Sequence, residues 1–347
     1  MISFTIYNMN SQPITPYLSI VVTSRNDNHG NNFLQRASLF IDGLIAQIST
    51  YQIQTELIVV EWNPPENKPL LSEVLPIPPK TCPLSIRYLM IPSEIHERYA
   101  YSQHIPLYQM IAKNTGIRRA KGEFILCTNM DLLFSDKLME FIALKKLQTG
   151  FLYRADRCDV SSDILHLYLS FSEQISWCEN HILKRHTRNR LLLAILKWMI
   201  SADNSVLSKG FLRKKIPLLY FLHLATDACG DFTLLHRNAW NNIQGYPELD
   251  LYSIHIDTLG IAAAYASGYQ QVLLPSESCC YHIHHEDGWT SLDPIQKLKF
   301  TAKKPGLGLD VVIQASCSMI KHQTAHHLNP PNWGFSDETF NEITING

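Results

Sequence analysis

The run Thr128-Asn129-Met130-Asp131 brings two oxygen-bearing side chains together where the apolar segment Phe124–Cys127 should end as a buried strand. Side chains alternate in extended chain, so Asn129 and Asp131 are expected on one side, just past the strand's carboxyl end. That edge is where open α/β sheets bind ligands. An amide and a carboxylate there suit a hard divalent cation, Mn²⁺ or Mg²⁺, and a ribose hydroxyl; a turn capped by Asn and Asp is the purely structural alternative. A second group is Tyr281-His282-Ile283-His284-His285. In extended chain His282 and His284 share a face, with His285 opposite. Hydrogen-bonded surface histidines are the bland reading, and a zinc site from Cys280, His282 and His284 lacks an evident fourth ligand.

The elements that must hold these groups are legible in the apolar pattern. Strands are expected at Tyr17–Thr23, Glu56–Glu61, Ser85–Ile91, around Phe124–Cys127, and at Gln271–Pro275. Helices are expected at Phe33–Ser49, Pro106–Ala120 and Ile256–Ser267, with a turn at Gly245-Tyr246-Pro247-Glu248. Strand–helix alternation of this kind implies a mostly parallel, doubly wound α/β sheet covered by helices. The chain divides into an N-terminal arm or edge strand (1–16), a first half (17–159), a helical basic insertion (160–228), a second half (229–300) and a C-terminal extension (301–347). No GxGxxG, GxxxxGK[ST] or GxSxG occurs, which disfavours dinucleotide-binding, P-loop and serine-hydrolase readings.

A net charge of −1 gives no pull toward nucleic acid. Between residues 181 and 215, however, nine Lys/Arg stand against one acid, Asp203, around the apolar run Leu191–Ile200. A core helix with a solvated basic end is one reading; a basic amphipathic contact with anionic membrane or a phosphate-bearing acceptor is the other. Eight cysteines without a CxxC pair fit a reducing compartment. With no signal-like N-terminus and no long apolar run, the expectation is a cytoplasmic protein, with a peripheral contact at the inner face of the membrane.

Taken in order, five motifs resemble the GT-A nucleotide-sugar glycosyltransferases, specifically the family 2-like bacterial enzymes, over residues 17–290. They are Val21-Val-Thr23-Ser24-Arg25-Asn26 after the first strand, Val59-Val-Glu61 after the second, and Ala112-Lys-Asn114-Thr-Gly116…Ala120-Lys-Gly122. Asn129-Met-Asp131 then stands at the Asp-x-Asp position, and Gly245-Tyr-Pro-Glu248 precedes His255-Ile-Asp257. Two positions depart from the pattern: Asn129 replaces the usual first Asp, and Ile256 the acid before the base.

The resemblance implies sugar transfer from a nucleoside diphosphate sugar to a hydroxyl of a cell-surface glycan or lipid-linked acceptor. Base and ribose would lie at Thr23, Ser24, Arg25 and Glu61. Arg25, Arg118 or Arg119 would reach phosphate, with Asn114 in a neighbouring turn and Asn129 touching ribose or metal-bound water. Asp131, with a late histidine, His282 or His284, would hold the metal. Asp257 would be the base of an inverting displacement. Asp156, Arg157, Asp231 and Glu248 would meet the sugar or acceptor. Two other functions compete: a non-catalytic sugar-nucleotide-binding or scaffold protein with a degenerate metal site, and a nucleotidyltransferase, whose Gly-rich loop after the first strand is missing.

Overall fold

The computed structural model describes residues 15–186, 190–205, 211–285, 294–326 and 329–347. The arm expected at 1–16 lies almost wholly outside the described residues. Among the described residues there are twelve strands: β1 Leu18–Ser24, β2 Thr55–Trp62, β3 Leu84–Ile91, β4 Phe124–Cys127, β5 Leu132–Phe134, β6 Phe151–Arg154, β7 Asp156–Val160, β8 Ile182–His186, β9 Thr233–His236, β10 Gln270–Leu273, β11 Cys279–Ile283 and β12 Asn341–Asn346.

Eight of them form one sheet in the order β10-β6-β9-β4-β1-β2-β3-β12. Its centre, β4-β1-β2-β3, is parallel, and β9 and β12 run against their neighbours. The central strands carry unbroken apolar runs, Ile20–Val22, Leu57–Val60 and Phe124–Cys127, because both faces are covered there. Ile20, Val22, Leu57 and Val59 pack with Phe33, Ala37 and Phe40 of helix Phe33–Tyr51. Val21, Ile58 and Val60, pointing the other way, pack with Ile111, Ala112 and Ile117 of helix Gln109–Arg119. The α/β class and the mostly parallel sheet are as the sequence implies.

Glycine is required where chain segments approach closely. A Cβ on Gly122 would run into the backbone of Ser19 in β1, and Gly245 adopts a φ of 72° against the Asn114 side chain. These contacts account for two glycines of the motifs.

The four remaining strands, β5-β11-β7-β8, form a small second sheet beside the carboxyl edge of the first. The chain changes sheets over short links: β4 leads through 128–131 into β5, and β6 passes through Ala155 alone into β7. This sheet was not foreseen, and it carries much of the site. Among the described residues, 160–228 are helical in large part, with β8 inside them. The tail contributes helices Pro294–Lys303 and Leu309–His322 and then β12, which covers the free edge of β3.

Candidate functional site

Register sets the site. His282 of β11 lies opposite Leu132 of β5, the residue after Asp131, and also opposite Asp159 of β7. Its ring therefore stands between two carboxylates: Nε2 is 3.7 Å from Oδ2 of Asp131 and Nδ1 is 3.1 Å from Oδ1 of Asp159. His285 Nε2 reaches the same Asp131 oxygen at 3.0 Å. One atom each from Asp131, His282 and His285 lies within 4.8 Å of the others. His284 is instead exposed, and its backbone N–H is bonded to Val160. The expected choice between His282 and His284 assumed unbroken alternation, but β11 ends at Ile283, and beyond it the ring of His285, not of His284, reaches Asp131. Neither Cys280 nor His284 belongs to this group of three.

Asp131 is partly buried. Burial alone would raise its carboxyl, but His282 and His285 beside it, with Arg36 at 3.9 Å, hold it well below the usual range. Oδ2 takes those contacts, while Oδ1 is buried with no hydrogen-bond partner. An orphaned carboxylate oxygen next to two imidazoles is a donor set that fits a divalent cation. Asp159 holds His282 from behind and also accepts from Arg157 Nε at 2.6 Å and from His186 Nε2 at 2.8 Å. Outer-shell carboxylates of this kind fix the ring and tautomer of a ligating histidine. His282 is accordingly raised: burial lowers it, and Asp131 and Asp159 more than compensate.

A polar chain continues inward. Arg157 Nη1 bonds Asp231 Oδ2 at 2.9 Å, and Asp231 Oδ1 accepts from Asn129 Nδ2 at 2.5 Å. Asn129 Oδ1 in turn accepts from Gln109 and from Lys113, both at 2.9 Å. Lys113 is fully buried, also bonds the Gly230 carbonyl, and is lowered by burial against the pull of Asp231, Asp257 and Asp131. Asn129 and Asp131 both follow β4, but they face different partners instead of one common side, because extended alternation does not continue past Cys127. Asp257 sits in the first turn of helix Ile256–Ala266, whose N-cap is His255, and accepts from the N–H of Thr258. Its Oδ2 lies 3.1 Å from where a Cβ on Gly230 would be.

The other candidates are distributed around this core. At the ends of β1 and β2, Thr23 donates to the Val60 carbonyl, Ser24 is half-buried, and Arg25 donates to the Pro106 carbonyl and pairs with Asp27. Glu61 is buried and accepts the Leu71 N–H on both oxygens; burial pushes its carboxyl up to about 7. Asn114 is fully buried and clasps the 245–248 turn, donating to the Tyr246 carbonyl and Glu248 and accepting from the Tyr246 N–H. Glu248 also accepts from the N–H of Gly334, and burial raises it. Asp156 is buried, with Arg185 at 3.9 Å. Arg118 stacks on Trp333, and Arg119 bonds the carbonyls of Gly334, Phe335 and Glu338. Both lie at the far end of helix Gln109–Arg119 from Lys113, away from Asn129 and Asp131.

Sequence reasoning missed Arg36, Lys113, Asp159, His186 and the reach of His285 to Asp131. Arg36 and Lys113 left a signal. Each is a cation on a helix face otherwise lined by buried residues, between Phe33, Ala37 and Phe40 in one case and Met110, Ala112 and Ile117 in the other.

No family model matches the chain, and no curated protein matches it. Solved structures with a similar trace include S. aureus TarS residues 1–349, at 13% identity and a TM-score of 0.44 over 87% of this chain and 70% of that one. The same protein in complex with UDP-GlcNAc matches at 12% and 0.45, over 87% and 71%. The catalytic domain of Drosophila β1,4-galactosyltransferase 7 in complex with xylobiose matches at 11% and 0.35, over 84% and 82%. What the site can do follows from its own side chains.

Proposed function

We propose that the chain is a metal-dependent, inverting glycosyltransferase of the GT-A kind. It would move sugar from a nucleoside diphosphate sugar to a hydroxyl of a glycan or lipid-linked acceptor in cell-surface polysaccharide synthesis. The observation that carries this reading is the convergence of Asp131, His282 and His285 at the carboxyl edge of a mostly parallel sheet, with a buried Asp131 oxygen left over. Those three residues would hold Mn²⁺, which when bound supplies Lewis-acid stabilisation of the departing diphosphate. Thr23, Ser24, Arg25 and Glu61 surround the nucleoside at the ends of β1 and β2. Asp257 takes the acceptor proton. Asn129, bonded by Gln109, Lys113 and Asp231, sets the wall between donor and acceptor sides, and Arg157, Asp156 and Asp231 line the acceptor side. The cellular setting that suits such an activity is the cytoplasm, at the inner face of the membrane.

The test is a thermal-shift screen of nucleoside diphosphates and their sugars, with and without Mn²⁺, on wild type and Asp131→Ala. A ligand that binds the native state raises the melting temperature. A shift that needs both Mn²⁺ and Asp131 is expected. No shift with any nucleotide would sink the reading, and binding without sugar-nucleotide hydrolysis would support a non-catalytic binding protein.

A further inference from the structure

Helix Arg190–Ser205 buries Leu196 and Ile200, one turn apart, against the body of the protein. The arc beside them carries Leu192, Ile195 and Trp198, which at about 100° per residue cover about 120° of the helix surface. Helices Phe211–Lys215 and Pro217–His223 pack on the same helix and add Ile216, Leu218 and Leu222. Trp198 is 72% exposed, and the other five are between 43% and 51% exposed. Single exposed apolar side chains are ordinary; six of them on adjoining helices mark an interaction surface.

Charge selects the partner. The 181–215 segment carries +8 while the whole chain carries −1, so the other 312 residues sum to −9. Lys197, Lys214 and Lys215 are exposed beside the apolar side chains, and Lys184 and Arg185 are exposed on β8. Pairing two copies through this face would bring together two surfaces that each carry Lys197, Lys214 and Lys215, which disfavours a symmetric dimer. Aliphatic side chains, an exposed tryptophan and a cationic surround instead match the headgroup boundary of an anionic bilayer. Among the described residues no helix is long and apolar enough to cross a membrane, so the helices would lie on the surface.

We propose that helices 190–205 and 217–223 dock the protein on anionic lipid. The chain leaves this surface at Leu224. Over Ala225–Cys229 its carbonyls are held by Arg154, and it then enters Asp231, which ties this surface through the backbone to the polar network. This inference is independent of sugar transfer, and its test needs no donor and no turnover.

The experiment is flotation of the full chain with vesicles of phosphatidylcholine alone and with about 30% phosphatidylglycerol, at low and high salt. Wild type is expected to float only with anionic vesicles at low salt. Trp198→Glu and, separately, Lys214→Glu with Lys215→Glu are expected to lower the bound fraction at least about tenfold with unchanged thermal melts. Failure of wild type to float, or flotation of both variants equal to wild type, overturns the proposal. So does a wild-type dimer that Trp198→Glu converts to monomer without any vesicle binding, which would assign the face to a second copy of the chain.

Discussion

The ammonium of Lys113 lies 2.9 Å from Oδ1 of Asn129, while Nδ2 of the same amide lies 2.5 Å from Oδ1 of Asp231. An amide accepts on one side and donates on the other, so it joins a buried cation to a buried carboxylate; a carboxylate in its place could only accept. The neutral residue at 129 is thus matched to its neighbours.

Asn129→Asp is therefore expected to destabilise the protein. The ion pair gained with Lys113 is opposed by a contact between two carboxylates, which persists only if one takes up a proton. Thermal melts should show a loss of about 1–3 kcal/mol at pH 8 that shrinks toward pH 5. Equal melting of variant and wild type at pH 8 would contradict the argument.

Two adjacent histidines give opposite expectations. His285→Ala removes a nitrogen from beside Asp131 and should weaken Mn²⁺ binding about 10–100-fold by calorimetric titration. His284→Ala, at an exposed position, should leave it unchanged. Asp159→Asn, which loosens His282 without touching the ion, should cost about tenfold. Indistinguishable titrations for the His284 and His285 variants would remove His285 from the site.

Asn114→Ala should unfold at lower urea. It deletes three hydrogen bonds and leaves the Tyr246 N–H without its partner in a buried turn, while the Tyr246 carbonyl keeps Asn329 and the Glu248 carboxyl keeps the Gly334 N–H. A loss of about 2–4 kcal/mol is expected at unchanged urea dependence.

Glu61 imposes a pH dependence of uncommon sign. Burial raises its carboxyl from the ordinary 4.5 to about 7, with the two Leu71 N–H bonds acting the other way. Above pH 4.5 the unfolded chain gives up this proton while the folded chain keeps it. Stability therefore falls from about pH 4.5 to pH 7 and stays low above. At about 1.4 kcal/mol per pH unit the cost is on the order of 3 kcal/mol. Glu61→Gln keeps an oxygen for Leu71 and should be more stable than wild type at pH 8 by about 1–3 kcal/mol, with little difference at pH 4. A Gln variant less stable at both pH values would show that the hydrogen bonds outweigh burial.

The central sheet was legible in the sequence because strands buried on both faces leave unbroken apolar runs, as in Leu57–Val60 and Phe124–Cys127. The small sheet was not. β5 has three residues, β7 contains two aspartates and an arginine, and β8 is largely exposed, so none shows a clean period. Asp131 could be picked out because it stands in the polar run that follows a strong strand, four residues past Cys127. Asp159 and His285 depend on cross-strand register and on where β11 stops, and neither is encoded in local spacing. β12 was lost for a related reason: Asn341-Glu-Ile-Thr-Ile-Asn346 is mostly exposed, and its pairing comes from a distant partner.

That partner is 255 residues away, as counted from Arg87 to Glu342. On a ribosome adding about 5–20 residues per second, the outer edge of β3 waits on the order of tens of seconds for its cover, with backbone donors and acceptors open to any passing strand. Leu84-Ser-Ile-Arg-Tyr-Leu-Met-Ile91 would be an adhesive segment in that interval but for Arg87 at its centre. The guanidinium that later bridges Glu56 and Glu342 is, during synthesis, a gatekeeper against aggregation of the nascent chain.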